Sequence, residues 1–200
     1  MLDRPLAVGF FWGAVTGDFT VSLGVSLFFE LVWLDLFPAG TIIPPQSLAP
    51  TLASLAVVRH FDITQPAVAA LVMVASLPLG LLFAQLERYH RQYENRAHSS
   101  LLVWARYPSR SFGPVKLTRN SILVMAPLNI VVFALSLTLL TAFTAVMLPM
   151  VSPLLGRIPM TWPHLWVIAS IGAVLSLRHR PAYAILLGGV GLALASRLVH

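Results

Sequence analysis

Two hundred residues, 58% hydrophobic and only 10% charged, with a mean hydropathy of +0.83, cannot build a water-facing surface. A soluble domain carries about 25% charged residues, so most of this surface must face lipid or another membrane subunit, with no room for a separate soluble domain. The net charge of +6 comes from twelve Arg and one Lys clustered beside apolar stretches, which is the positive-inside pattern of a membrane protein and not a nucleic-acid surface. Cysteine is absent, which excludes disulfides and thiolate metal sites.

The expected fold class is all-α. It is a polytopic integral membrane protein of about five or six apolar segments, one membrane-embedded domain over residues 1–200, with broken or re-entrant helices near the N-terminus. No small-residue cleavage site follows a short apolar core, so no signal peptide is expected. The first sixty residues are apolar but interrupted by Gly13, Gly17-Asp18, Gly24, Asp35, Pro38, Gly40, Pro44-Pro45 and Pro50. Proline removes an amide donor and clashes with the preceding turn. In lipid, broken backbone survives only where protein or a water-filled cavity satisfies it, and such segments point to a transporter's binding site.

The clearest span runs from Gln65 to Gln85, long enough to cross hydrocarbon. Residues 87–120 hold seven of the thirteen basic residues and read as a cytoplasmic loop. A second span covers Ile122 to Met150, with a kink expected at Pro127. A third covers Leu165 to Leu177, with Trp162 and Trp166 as interface anchors. A fourth covers Pro181 to Ser196, where Gly188, Gly189 and Gly191 suit close helix approach. Parity then puts Arg178-His179-Arg180 inside with the first basic cluster, and residues 59–62 and the chain end outside.

Three carboxylates fall in the interrupted region: Asp18, Glu30 and Asp35. Glu30 is apolar on both sides in sequence. An acid within a membrane segment costs about 2.5–3.5 kcal/mol on insertion scales, so something must offset it. A polar substrate is one reading. A hydrogen bond to a broken-helix end and an ion pair with a distant Arg are the others. On one straight helix Glu30 stands about 120° from Asp18 and about 140° from Asp35, so the three converge only if the helices are broken. Asp18 suits a cap for a helix starting near Phe19, with substrate contact as the alternative, and Asp35 suits a solvated end.

Gln46, after Pro45, can both donate to and accept from a sugar hydroxyl; a turn or cap role stays open. Phe10, Phe11, Trp12, Phe28, Phe29 and Trp33 read first as lipid contacts, with sugar stacking the alternative. The six histidines lie near expected loops or ends, none at ligand spacing with another His or a carboxylate, so no metal site is expected. No nucleotide or acyl-transfer motif is present.

Arg4-Pro5-Leu6, Gly13, Gly17-Asp18, Glu30, Gly40 and Pro45, over residues 4–54, resemble the IIC subunit of the mannose/fructose/sorbose class of the phosphoenolpyruvate-dependent phosphotransferase system. Gln46 stands where the family usually has an acid, Asp35 where it has glycine, and Thr41-Ile42-Ile43 where it has small residues. The family usually carries another apolar segment before Arg-Pro-Leu, which implies an upstream start or a reduced protein. The resemblance implies a sugar permease subunit in a bacterial inner membrane that forms an oligomer. Its partners would be a IID membrane subunit and cytoplasmic IIB and IIA subunits, with no cofactor and no phosphate carried on IIC itself. It maps Glu30, Pro45 and Gln46 onto the substrate-facing part, with Asp18 in the Gly-Asp pair. A non-transporting scaffold or regulatory relic of the family, and an ion-coupled transporter using Glu30, are the alternatives.

Overall fold

The computed structural model describes residues 4–34, 43–106 and 114–176, and every described element is a helix. In chain order these are α1 (Pro5–Thr16), α2 (Phe19–Val32), α3 (Leu48–His60), α4 (Pro66–Arg106), α5 (Pro114–Leu155) and α6 (Trp162–Ser176). Asp35, Pro38 and Gly40, Arg110, and the span Pro181–Ser196 with Gly188, Gly189 and Gly191 lie outside the described residues.

The N-terminal interruptions fall where glycine and aspartate stand. α1 starts on Pro5, whose fixed φ suits the first helical position. It stops at Gly17, which takes a left-handed φ of 78° and returns its N–H to the Gly13 carbonyl. Asp18 then opens α2 by accepting a hydrogen bond from the Val21 N–H at 3.1 Å. The two helices fold back on each other through small residues. A Cβ on Gly9 would lie 2.0 Å from Ser26 Oγ, and one on Gly13 2.9 Å from the Phe19 ring. This is close packing of the small-xxx-small kind. Ser26 is fully buried and its hydroxyl has no partner.

α3 is short and central. Ala49, Thr51, Ala53, Ser54, Leu55, Val57 and Val58 are all buried, and α1, α2, α4 and α5 pack around it. Its small side chains make that enclosure possible. Ser54 and Ser76 share a buried 2.8 Å hydrogen bond, and Ser76 also donates to the Met73 carbonyl. Pairing of this kind offsets the cost of burying a hydroxyl.

α4 and α5 are 41 and 42 residues long, about 61 and 63 Å, or twice the ~30 Å hydrocarbon core. Pro66–Asn95 and Thr118–Leu155 within them are long and apolar enough to cross a membrane. α5 continues as helix through Pro127. Ile130, Leu135, Leu139, Val146 and Met150 are more than half exposed along it. Asn129, Thr138, Thr141 and Thr144 each donate to the carbonyl four residues earlier, so these polar groups are satisfied without solvent.

Three expectations change. The basic stretch 87–120, read as a loop, is helix up to Arg106 and again from Pro114. His90, read as a histidine near a loop without a partner, is a buried α4 residue. It hydrogen-bonds Glu94 at 3.1 Å and Ser121 of α5 at 3.0 Å, and Ser121 also donates to Glu94. Sequence windows end a helix where hydropathy falls, but a long helix continues as long as its backbone bonds do. Trp162 and Trp166, read as interface anchors, instead fix α6 to α2. Trp162 is buried against Gly24, and the Trp166 indole N–H donates to the Gly24 carbonyl at 3.2 Å.

A Cβ at Gly24 would sit 2.4 Å from the Trp162 ring. Gly24→Ala is expected to destabilise the protein by about 1–3 kcal/mol, and Trp162→Leu to remove most of that penalty when the two are combined. Thermal unfolding of the purified protein in detergent, read as a double-mutant cycle, checks this.

Candidate functional site

The α1–α2 hairpin brings the first residue of α1 beside the last turn of α2, which is why residues 26 apart in sequence meet. Pro5 has no amide hydrogen, so the first donor that α1 leaves without an intrahelical partner is the Leu6 N–H. Glu30 Oε2 accepts it at 3.3 Å. Glu30 Oε1 accepts from the Arg4 guanidinium, also at 3.3 Å. A carboxylate at a helix N-terminus meets the positive end of the backbone dipole, and Arg4 supplies a full charge. Both alternatives to substrate binding, the helix-end bond and the distant Arg, are therefore present at once. Glu30 is 20% exposed and Arg4 58%, so the guanidinium lies at the surface and the carboxylate is mostly covered.

A second convergence lies one turn beyond. Trp33 closes α2, stacked on the buried Phe29 with ring centres 5.4 Å apart. Across from it the segment entering α3 crosses α4. The Gln46 N–H donates to the Gly80 carbonyl at 3.0 Å. A Cβ on Gly80 would lie 3.1 Å from both the Gln46 carbonyl and the Trp33 ring. Glycine therefore lets backbone and indole meet on α4 at this point. Pro45 is half-buried and the Gln46 side chain is exposed. Gln46 has a turn's backbone contact and an amide still open to solvent.

Asp18 is not part of this group. It lies at the opposite end of α2, twelve residues or about 18 Å from Glu30, and caps the helix as the sequence allowed. There it borders a cavity of about 40 Å³ with Trp12, Thr16, Ser22, Arg59 and Asp62, room for a few waters at most. Arg59 and Asp62 pair with each other at 3.3 Å. Phe28 and Phe29 are core residues, while Phe10 and Phe11 face outward. No cluster of three or more metal-ligating residues occurs among the described residues.

The sequence reading missed Arg4 as the partner of Glu30, and it missed Trp33 and Gly80 as one contact. The signal for the first was present in Arg4-Pro5: a charged residue at the start of an apolar helix whose first amide is missing.

Interrupted short helices, closed at one end by an ion pair and packed on two long apolar helices, define an all-helical component of the membrane type. A family model for the sorbose-specific IIC component of the phosphotransferase system matches residues 1–177, and the chain belongs to this family of sugar-transport components. The match carries the resemblance well past residue 54. Searches of curated proteins and of solved structures found no match.

Two outcomes follow from the geometry. Asp18→Ala is expected to lose about 1 kcal/mol through the lost cap, and Asp18→Ser to retain it, as measured by thermal unfolding. Gly80→Val is expected to displace the segment before α3. Its signature would be faster proteolysis near residues 43–47 than in the wild type.

Proposed function

We propose that this chain is the sugar-translocating IIC subunit of a mannose/sorbose-class phosphotransferase system, crossing a bacterial inner membrane several times. Its partners on this reading are a IID membrane subunit, with which it forms an oligomer in the bilayer, and cytoplasmic IIB, which phosphorylates the sugar with a phosphoryl group passed on by IIA. IIC carries no phosphate itself.

The observation that carries the reading is the level at which the polar helix ends meet. Gly80 lies fourteen residues into α4, about 21 Å along its axis, and so inside a slab about 30 Å thick that begins near Pro66. Arg4, Glu30, Trp33 and Gln46 gather around that level at the ends of helices too short to cross. Polar groups at such a depth are costly and serve best in a site for a polar guest. Sugar hydroxyls donate to Glu30, the Gln46 amide donates and accepts, and Pro45 shapes the turn that presents it. Asp18 supports the site from the far end of α2 as a cap. A rigid-body movement of the short helices then opens the site toward IIB. The basic stretch 87–120 faces the cytoplasm, suited to acidic head groups or to IIB.

One observation favours a second reading. Both oxygens of Glu30 are already engaged, as they would be in a non-transporting member of the family whose N-terminal helices serve only as scaffold.

Uptake in a strain lacking this chain, supplied with the remaining phosphotransferase subunits, separates the readings. The wild type is expected to restore phosphoenolpyruvate-dependent sugar uptake. Glu30→Gln should lower it by about tenfold or more, as loss of a charge-assisted hydrogen bond does. Unchanged uptake with Glu30→Gln would reject the site. No uptake with the wild type would favour the scaffold. Uptake independent of phosphoenolpyruvate and abolished by uncouplers would point to ion coupling through Glu30.

A further inference from the structure

The two bonds of Glu30 are unequal. Oε2 rests on the Leu6 amide, which cannot leave without unwinding the first turn of α1. Oε1 rests on Arg4, whose long side chain is more than half exposed while Glu30 is mostly covered. Pro5 restricts the residue before it to extended backbone, and Arg4 has φ −85° and ψ 137°. Arg4 therefore stands outside the helix with its guanidinium on α2, and its side chain caps no amide of its own helix. The other described cation-acid pairs lie elsewhere: Arg59 with Asp62 at the far end of the hairpin, and Arg91 with Glu87 on α4. A hydroxyl that donates to Oε1 must share or displace Arg4, whereas Oε2 stays anchored and keeps the carboxylate oriented.

Resting on the permease reading above, we propose that Arg4 is an internal competitor of the sugar for Glu30. With the site empty, its guanidinium occupies Oε1 and ties the open end of the α1–α2 hairpin. When a sugar hydroxyl takes Oε1, Arg4 swings outward from its exposed position and the tie is released. Arg4 is then a positioning residue that sets affinity without being required for the hydroxyl contact itself.

The test measures initial uptake against sugar concentration in cells with the complete phosphotransferase complex, normalised to the amount of this chain in the membrane. Arg4→Gln is expected to lower the half-saturating concentration about three- to fivefold, the range of an exposed ion pair. Arg4→Lys, which keeps the charge but loses the planar fork, should fall between it and the wild type. In a Glu30→Gln background, Arg4→Gln should change nothing further. A half-saturating concentration for Arg4→Gln that is unchanged or raised, at normal membrane amounts, overturns the proposal. If Arg4→Gln does not reach the membrane, Arg4→Lys decides alone, and a value at or above the wild type overturns it. The permease reading fails differently: the wild type then takes up no sugar, and the competition falls with it. Wild-type saturation in Glu30→Gln shows instead that Glu30 is not the contested group.

Discussion

A carboxylate seated on the first free amide of a neighbouring helix organises the N-terminal half of this protein. Helices of 12 and 14 residues, about 18 and 21 Å long, are shorter than the ~30 Å hydrocarbon core of a bilayer. Each orphan amide there costs several kcal/mol unless it finds an acceptor. Glu30 is that acceptor for α1, and the helix dipole together with Arg4 offsets the charge it brings. At the other end of the hairpin Gly17 and Asp18 do the same by local means, with a left-handed turn and a side-chain cap. The hairpin is thus closed at both ends by polar contacts of different reach.

Close packing lets these short helices stay together. Lipid tails are as apolar as leucine, so helices in a bilayer associate through contact and not through escape from water. Gly9 and Gly13 bring α1 onto Ser26 and Phe19, and Gly24 admits the Trp162 ring. α3, which carries Ala49, Thr51, Ala53 and Ser54 among its buried residues, fits inside a ring of four helices. Gly80 lets both the segment before α3 and the Trp33 ring come close to α4. A side chain at any of these positions would push apart helices that have no solvent force to return them.

The arrangement separates two polar ends with different chemistry. At the Asp18 end the acids are spent on a cap and on the Arg59–Asp62 pair, beside a cavity of water size. At the Glu30 end an exposed guanidinium, an exposed amide and a partly covered carboxylate gather near an indole and a proline turn. The second end holds groups that both donate and accept hydrogen bonds, on which the proposed sugar site rests. The long α4 and α5 run past that level and are tied together about 15 Å beyond Gly80 by His90, Glu94 and Ser121.

The low charge and the long apolar runs led to the expectation of an all-helical membrane protein, because 10% charge cannot cover a soluble surface, and every described element is a helix. The helix breaks at Gly17-Asp18 and before Pro50 were legible from residue chemistry, as was the capping role open to Asp18. So was the family, from spaced motifs over the first fifty-four residues. Tertiary structure decided the rest. The partner of Glu30 lies 26 residues away, and only a hairpin with a defined crossing brings Arg4 to it. Trp162 and Trp166 look identical in sequence whether they face head groups or Gly24, since an indole suits both, and the docking of α6 chose the second. The helical course of the basic stretch was equally hidden, because hydropathy reports where a segment prefers to lie, while backbone hydrogen bonds decide where a helix ends.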